Sequence, residues 1–303
     1  MPFRFENMWL KEEGFKEKMQ GWWVGLNFSG SASFVLASKL KALKPLLRDW
    51  NKLEFGKVEV NKALALSQVD FWDKMELSRP LSVQEVDARR GAKEDFKKWA
   101  LLEEISWRQN SREVWLREGD MNTKFFHRMA NAHRRGNMLS RVKINGVWLT
   151  EENEVRDGVV NEFKSMLSTA GGWRPSLRGM SFERLEAVDV ASLEESFSEQ
   201  EVLKGFCGDK APEPDGFTMT FWQSSWEFVK EEVLGFFRDF HNHGRFVKSL
   251  NATFIVLIPK KGGAEEIRDF RPISLVGGLY KWLAKVLAKR LKKVVGKVVS
   301  KAQ

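Results

Sequence analysis

Two lysines and an arginine lie close together near the end of the sequence, and their residue types suit a phosphate-rich ligand. Lys260 and Lys261 directly follow the apolar run "ATFIVLIP", and Arg271 stands in "DFRPISL", after a Gly-Gly turn. If the two apolar runs pair as an irregular hairpin, Lys260 and Arg271 are neighbours. A compact ammonium beside a guanidinium fork is able to neutralise a triphosphate. Spacing alone favours the other interpretation, a basic hairpin without a ligand.

A stripe of lysines recurs every four residues in the amphipathic segment "LYKWLAKVLAKRLKKVVGKVVSK". Its members are Lys281, Lys285, Lys289, Lys293, Lys297 and Lys301, with Arg290 and Lys292 beside them. At about 100° per residue the stripe drifts slowly round a helix, opposite an apolar face. Three interpretations stay open: a solvated face over a packed one, a surface that follows a nucleic-acid backbone, and a helix lying on a membrane. The segment alone favours the first.

A second basic cluster lies in "WLREGDMNTKFFHRMANAHRRGN", where Arg134 and Arg135 stand near aromatic residues. The elements around it are mainly helical. The sequence predicts a helix started by Ser31 or Ser33 and kinked at Pro45, and a second helix over about 57–77. A third, about thirty residues long, starts at a capping box of Ser82 and Glu85.

Short strands are predicted at several places. "PFRFENMWL" alternates apolar and polar residues like a strand. "MLSRVKINGVWLT" predicts a hairpin turning at Asn145-Gly146, followed by a helix capped by Thr150 that reaches about Ser168. "NATFIVLIPKK" is the clearest strand pattern of the chain.

Residues 169–181 are rich in Gly and Pro and predict a linker. Beyond them, Ser198 and Glu201 form a second capping box, and the loop "GDKAPEPDGF" precedes a helix from about residue 217 to residue 243. Pro214 and Asp215 open that helix.

Composition excludes several classes of protein. The chain has 303 residues, a formal charge of +9 and a sequence pI near 9.5, which favours a polyanionic partner. One cysteine, Cys207, permits neither an internal disulfide nor a thiolate-rich zinc site. The pair His241 and His243 fits the last turn of a helix capped by Gly244 better than a metal site. No signal peptide or membrane span is expected.

The motifs from "DKAPEPDGF" through "ATFIVLIPKK", "DFRPISL" and "LYKWLAKVLAKRL" resemble the reverse transcriptase of plant LINE-type (non-LTR) retrotransposons. The basic segment "WLREGDMNTKFFHRMANAHRRGN" resembles the part of those proteins that joins endonuclease to polymerase. "PFRFENMWL" resembles the last strand of their endonuclease domain. The resemblance covers nearly the whole chain, with the motifs in family order.

This resemblance implies roles for particular residues. Lys260 and Arg271 would contact the phosphates of an incoming deoxynucleotide. The nucleic-acid-binding residues predicted on this basis are Arg134, Arg135, Lys261, Lys285, Lys289, Arg290 and Lys293. The structural loop that opens the fingers helix would comprise Pro212, Pro214, Asp215 and Gly216. The family usually has glycine where this chain has Glu213, which would be strained at a positive φ.

The catalytic carboxylates of the family are not expected in this sequence. Polymerases hold two metal ions on palm aspartates, and the sequence reaches "VVSKAQ" where the family is about to enter the palm. No Ala-Asp-Asp motif occurs in it, and its single tyrosine is Tyr280. We therefore predict no catalytic residue and no metal or cofactor in this chain, although Mg²⁺ is implied for the complete polymerase.

The predicted fold class is α+β, mainly α, with a long helical linker region followed by an incomplete right-hand polymerase fingers subdomain that lacks the palm. Residues 1–30 would be the end of an endonuclease domain, 31–169 a helical linker region with a hairpin, 170–181 a flexible linker and 182–303 the fingers. The predicted function is a fragment of an RNA-directed DNA polymerase, acting in the nucleus, that binds RNA or DNA template-primer and deoxynucleotide without polymerising. The alternatives are a non-catalytic remnant, an interaction domain, and a basic RNA-binding module unrelated to polymerases.

Overall fold

The computed structural model describes residues 3–111, 128, 131, 139, 141–168, 184–204 and 215–298. These residues are mainly helical and add two separate two-stranded antiparallel sheets. This confirms an α+β fold that is mainly α.

The N-terminal segment does not form the predicted strand. Residues 3–6 are irregular, and Asn7–Lys11 form a 3₁₀ helix. Phe5, Met8 and Trp9 are buried, so the apolar positions follow a helical spacing after Phe5. The alternation predicted a strand because Phe3 and Phe5 are two residues apart. In the described part of the chain, the long-range backbone hydrogen bond of this segment is a single one, from the Phe5 amide to the Gly216 carbonyl at 2.7 Å, so no strand partner is present there.

Two helices follow this segment and lie against the same core. Helix α1 spans Phe15–Gly25, and helix α2 spans Ala32–Trp50 with Pro45 inside it. Ser31 is confirmed as the N-cap of α2, because its hydroxyl accepts from the Phe34 amide. A short π-helical turn, Asn51–Phe55, continues from α2.

A long helical hairpin comes next. Helix α3 spans Val58–Ser78, and α4 spans Val83–Ser111, close to the predicted bounds. The capping box is confirmed: the Ser82 amide donates to Glu85 Oε2 at 2.8 Å, and the Glu85 amide donates to the Ser82 hydroxyl at 3.4 Å. Arg79 also pairs with Glu85, and this hydrogen bond is the main cause that lowers the pKa of Glu85 to about 2. The start of α4 is therefore fixed by local contacts.

The predicted β-hairpin is confirmed. Strands β1 (Val142–Ile144) and β2 (Val147–Leu149) pair around Asn145 and Gly146, which have φ of 50° and 84° as a type I′ turn requires. Helix α5 spans Glu152–Leu167. Its N-cap is Glu151, which makes no side-chain capping bond, so the predicted cap at Thr150 was wrong by one residue.

The last third of the chain alternates helices with one β-ribbon. The helices are α6 (Ala187–Glu194), α7 (Glu199–Lys204), α8 (Met219–His243) and α9 (Gly278–Val298). Between α8 and α9, strands β3 (Thr253–Pro259) and β4 (Phe270–Val276) pair in antiparallel register. Gly244 ends α8 with φ of 63° and its amide donates to Phe240, as predicted for this C-cap.

Most buried apolar side chains belong to one cluster, called the main core here. It collects residues from the N-terminal segment, α1, α2, α4, α7, α8 and α9. Its largest fully buried members are Trp23, Trp222, Trp282, Phe5, Phe15, Phe217, Phe221, Phe236 and Phe237. Burying one such ring contributes up to about 3 kcal/mol. Three of the four predicted regions, 1–30, 31–169 and 182–303, thus contribute to one core. The fourth, 170–181, lies outside the described residues. The predicted division of the chain into domains stays a prediction.

A second, smaller cluster joins the hairpin and α5 to the β3–β4 ribbon. Its buried members are Val142, Val155, Phe163, Ile267 and Phe270. The Lys143 amide also donates to the Glu265 carbonyl at 2.8 Å. The far end of the ribbon is therefore held by the hairpin unit rather than by the main core.

Candidate nucleic-acid interface

The β3–β4 ribbon brings the two predicted phosphate-binding residues to one face. Ile258 pairs with Arg271, and the Lys260 amide donates to the Asp269 carbonyl at 2.8 Å. Since side chains alternate along a strand, Ile258, Lys260 and Arg271 share a face. Lys260 and Arg271 are diagonal neighbours across the strands, a relation that places Cα atoms about 7–8 Å apart. The hairpin expected from the sequence does form.

The basic side chains at this end of the ribbon differ in their hydrogen-bond and ion-pair partners. The Lys260 ammonium donates to the Arg268 carbonyl at 2.7 Å, and Lys261 pairs with Asp269 at 3.0 Å. Arg268 pairs with Glu266 at 2.5 Å. Arg271 is exposed and makes no hydrogen bond or ion pair with the residues described. Its guanidinium is thus the cation of this group that is open to a ligand.

The acids among these cations hold the turn. Asp269 Oδ2 accepts from the amides of Glu265 and Glu266, at 3.4 and 3.3 Å, and Glu266 completes a capping box around the 3₁₀ turn at 267–269. The hydrogen bond from Lys261 is the main cause that lowers the pKa of Asp269. Its charge offsets that of Lys261 and leaves Arg271 outside the pair.

Some lysines of the stripe on α9 are held by contacts with other helices. Lys292 and Lys293 are exposed, and Lys285 is half-buried. The Lys289 ammonium donates to the Lys204 carbonyl, and Lys297 pairs with Asp189 at 2.7 Å. These contacts tie the stripe to α6 and α7 over part of its length.

Arg290 does not lie on an exposed surface. It is 6% exposed, and its guanidinium forms a bidentate pair with Glu201 at 2.6 Å for both contacts. It also donates to the Leu193 and Ser196 carbonyls at 3.1 Å and to Glu195, and it lies 4.3 Å from the ring centroid of Phe197. The hydrogen bond from Arg290 is the main cause that lowers the pKa of Glu201. Its environment is that of a residue which fastens α9 to the α6–α7 segment.

The described half of the predicted structural loop joins three distant elements. Asp215 Oδ1 accepts from the Phe217 amide at 2.9 Å, and the backbone of Gly278 at the start of α9 is close enough to lower the pKa of this carboxyl slightly. Burial is the main cause that raises the pKa of Asp215. Gly216 has φ of 82°, and a Cβ at this position would lie 2.3 Å from the Phe3 carbonyl oxygen. Only glycine fits where the N-terminal segment crosses this turn.

Two cations near this loop were not predicted. Lys44 and Arg48 on α2 lie 5.8 and 5.7 Å from the ring centroid of Phe3, and burial is the main cause that lowers the pKa of Lys44. Asp215 opposes that shift through its charge. Little in the sequence pointed to this pair. Lys44 and Arg48 are four residues apart and so share a face of α2, but the other residues of that helix indicate only packing against a core.

Four predicted residues lie outside the described part of the chain: Arg134, Arg135, Pro212 and Pro214. The unusual Glu213 lies there too. Their predicted roles stay predictions.

In the ranges that the structure describes, no three His, Cys, Asp or Glu side chains are grouped so that they could hold a metal ion. The Mg²⁺ implied for a complete polymerase stays an expectation for that larger protein. Within the same ranges, no helix has the length and apolar character needed to cross a membrane.

Comparison with known proteins gives one partial relationship. No protein-family model matches the chain. A Xenopus laevis protein described as the transposon TX1 uncharacterized 149 kDa protein is 30% identical to it over 79 residues. The match covers 26% of this chain and 6% of that relative, so it spans a small part of the relative's length. The similarity supports an origin of the chain in a transposable element.

Proposed function

We propose that this chain is part of the reverse transcriptase of a plant LINE-type retrotransposon and binds nucleic acid through the exposed end of the β3–β4 ribbon. The observation that carries the proposal is Arg271, which is exposed, has no ion-pair partner among the described residues and shares a ribbon face with Lys260. The similarity to a transposon protein supports the wider assignment.

The ribbon end suits a phosphate because its acids are already committed. Asp269 and Glu266 hold the turn and pair with Lys261 and Arg268. An approaching phosphate therefore meets Arg271 beside an ammonium that is fixed by a backbone carbonyl. Charge-assisted bonds to a guanidinium are bidentate and directional, which fits recognition of a phosphate backbone or a deoxynucleotide.

Filter binding of labelled RNA and of DNA at several salt concentrations tests this proposal. We expect log affinity to fall linearly with log salt, because each phosphate contact releases counterions. Arg271→Gln is expected to weaken binding and reduce the magnitude of the salt slope by about 1. Lys74→Gln, an exposed residue on α3 with the same change of charge, is the matched control. A flat salt response, or equal effects of the two variants, would contradict the proposal.

Primer extension separates binding from catalysis. The 303 residues contain no Ala-Asp-Asp motif, so we expect the purified chain to show no templated incorporation with Mg²⁺ and deoxynucleotides. Incorporation that depends on the template would contradict this part of the proposal. Action on chromosomal DNA belongs to the same proposal, and nuclear accumulation of a tagged chain tests it.

An interaction domain on the α3–α4 hairpin is the second candidate function. Apolar side chains are exposed near its turn, with Leu77 89% and Val83 80% exposed. Exposed apolar groups of this kind are typical of protein contacts. Self-association that is lost in the Leu77→Ser, Val83→Ser double variant, together with no measurable binding of RNA or DNA, would favour this function over the first.

A further inference from the structure

The β1–β2 hairpin has one covered face and one open face. Val142 and Leu149 pair across the two strands and belong to the smaller cluster, where α5 packs against them. This packing is close, because a Cβ on Gly158 of α5 would lie 2.4 Å from Leu149 Cδ1. Since side chains alternate along a strand, Lys143 and Trp148 lie on the opposite face, called the open face here.

Trp148 stands on the open face with a cation over its ring. It pairs directly with Lys143 across the strands, a relation that places Cβ atoms about 4.5–5.5 Å apart. The Arg141 guanidinium lies 4.8 Å from the centroid of the Trp148 ring. Trp148 is 39% exposed and makes no ring contact with another aromatic residue in the described part of the chain. A planar group can thus stack on the exposed part of the indole.

Arg141 and Lys143 give the open face two positive charges. Neither makes an ion pair with any residue that the structure describes. The acids that follow β2 are Glu151, Glu152 and Glu154, and they lie at the start of α5, where the helix dipole favours negative charge. The described residues therefore leave both cations to an external anion.

The hairpin is fixed beside the end of the β3–β4 ribbon. The Lys143 amide donates to the Glu265 carbonyl at 2.8 Å, and Lys143 forms a β-bridge with Glu266. Arg271 follows Glu266 by five positions, which is at most about 18 Å of chain. A short nucleic-acid strand that contacts Arg271 is thus able to reach the hairpin as well.

We propose that the open face of the β1–β2 hairpin is a stacking platform for an unpaired base of single-stranded RNA or DNA. Trp148 receives the base, and Arg141 and Lys143 contact the flanking phosphates. The inference rests on the proposed binding of nucleic acid at the ribbon and specifies the form that is bound. A tryptophan among cations suits single strands of any sequence, because every base has a π-face. In a duplex the bases are stacked on one another, so a duplex offers mainly its backbone to this face.

Fluorescence anisotropy of the full chain with labelled oligo(dT) and oligo(U), and with a duplex of the same length, tests the proposal. Trp148→Ala is expected to weaken binding of both single strands about tenfold, the effect of losing one stacked base. Binding of the duplex and the salt slope should not change, since an indole carries no charge. Trp148→Phe keeps an aromatic ring and should retain most of the affinity. Phe71→Ala removes an exposed ring on α3 and is the matched control.

An abasic oligonucleotide of the same length tests the role of the bases without any substitution. It keeps the phosphates, so the wild type should bind it through charge alone, about tenfold more weakly than oligo(dT). Equal binding of the abasic strand and oligo(dT), no loss in Trp148→Ala, or equal losses in Trp148→Ala and Phe71→Ala would each overturn the inference. If salt-dependent binding still required Arg271 in those cases, the proposed function would stand, whereas no binding of any nucleic acid would overturn both.

Discussion

The main core around α8 and α9 and the β3–β4 ribbon use the same residue types under opposite conditions of burial. Arg290 lies against α6 and α7 at 6% exposure with its guanidinium fully engaged, whereas Arg271 on the ribbon is exposed and unpaired among the described residues. Gly216 is crowded by the N-terminal segment, whereas Gly263 at the ribbon tip has no atom within 4 Å of its Cβ position. Residue type therefore does not separate a structural role from a binding role in these two regions, whereas the surroundings of each residue do.

Removing the guanidinium should have the largest effect in the main core. Arg290→Met is expected to destabilise the chain by about 3–5 kcal/mol, because Glu201 and several carbonyls lose a buried partner. Arg271→Met should change stability by less than about 0.5 kcal/mol. Urea unfolding of both variants measures the difference. Similar losses in the two variants would show that burial of Arg290 adds nothing to its effect on stability.

The glycine pair is expected to give the next largest difference. Gly216→Ala should cost about 2–4 kcal/mol, since a Cβ would collide with the Phe3 carbonyl at a backbone conformation with positive φ. Gly263→Ala has a similar φ of 69° with open space, so it should cost only about 1 kcal/mol. Thermal unfolding of both variants is the measurement. Equal shifts would show that the N-terminal segment does not press on Gly216.

The two aspartates should respond to pH with opposite signs. Burial raises the pKa of Asp215 in the folded state, so its stabilising contribution is present below the unfolded pKa of about 3.9 and is lost as pH rises through the folded pKa. Lys261 lowers the pKa of Asp269, so its contribution is present above about pH 3.9 and is lost as pH falls through the folded pKa.

Melting temperatures from pH 3 to pH 7 check this prediction against Asp215→Asn and Asp269→Asn. As pH rises, the wild type should lose stability relative to Asp215→Asn and gain it relative to Asp269→Asn. If the difference in melting temperature between wild type and variant changed with pH in the same direction for both aspartates, the opposite pKa shifts of Asp215 and Asp269 would be contradicted.

Surface ion pairs should give the smallest effects, and similar ones in both regions. Lys16→Gln removes the pair between α1 and Glu227 on α8, whose side chains are both exposed, and Lys261→Gln removes the pair with Asp269 on the ribbon. Exposed pairs contribute little because solvent screens them and long side chains lose entropy. Both variants should melt closer to the wild type than Gly263→Ala does. A large loss from either one would show that its pair is more than a surface contact.

Sequence patterns predicted well the elements whose contacts are local. The Ser82–Glu85 box, the Asn145-Gly146 turn and the C-cap at Gly244 depend on residues within a few positions of each other. The β3–β4 pairing was also predictable, because two strongly apolar runs flank a short loop. The strand predicted in the N-terminal segment was wrong because its conformation depends on Gly216 and the main core, more than 200 residues away.

The candidate site shows the same limit. The sequence identified Lys260 at the end of one apolar run and Arg271 in the next, and those two runs pair as β3 and β4. Their role in binding phosphate stays a prediction. The sequence pattern grouped Arg290 with the lysines of α9. A periodic spacing of basic residues does not show which side of a helix packs against another helix.

By itself, the sequence determined several helix ends, the turns, the amphipathic last helix and the set of cations available for a polyanion. These follow from hydrogen bonds and periodicities that act over a few residues. Only the tertiary structure decided which of those cations face solvent. It buried Arg290 under α6 and α7, held Lys260 on a carbonyl and left Arg271 open, because burial and ion pairing depend on residues that meet only after the chain has folded.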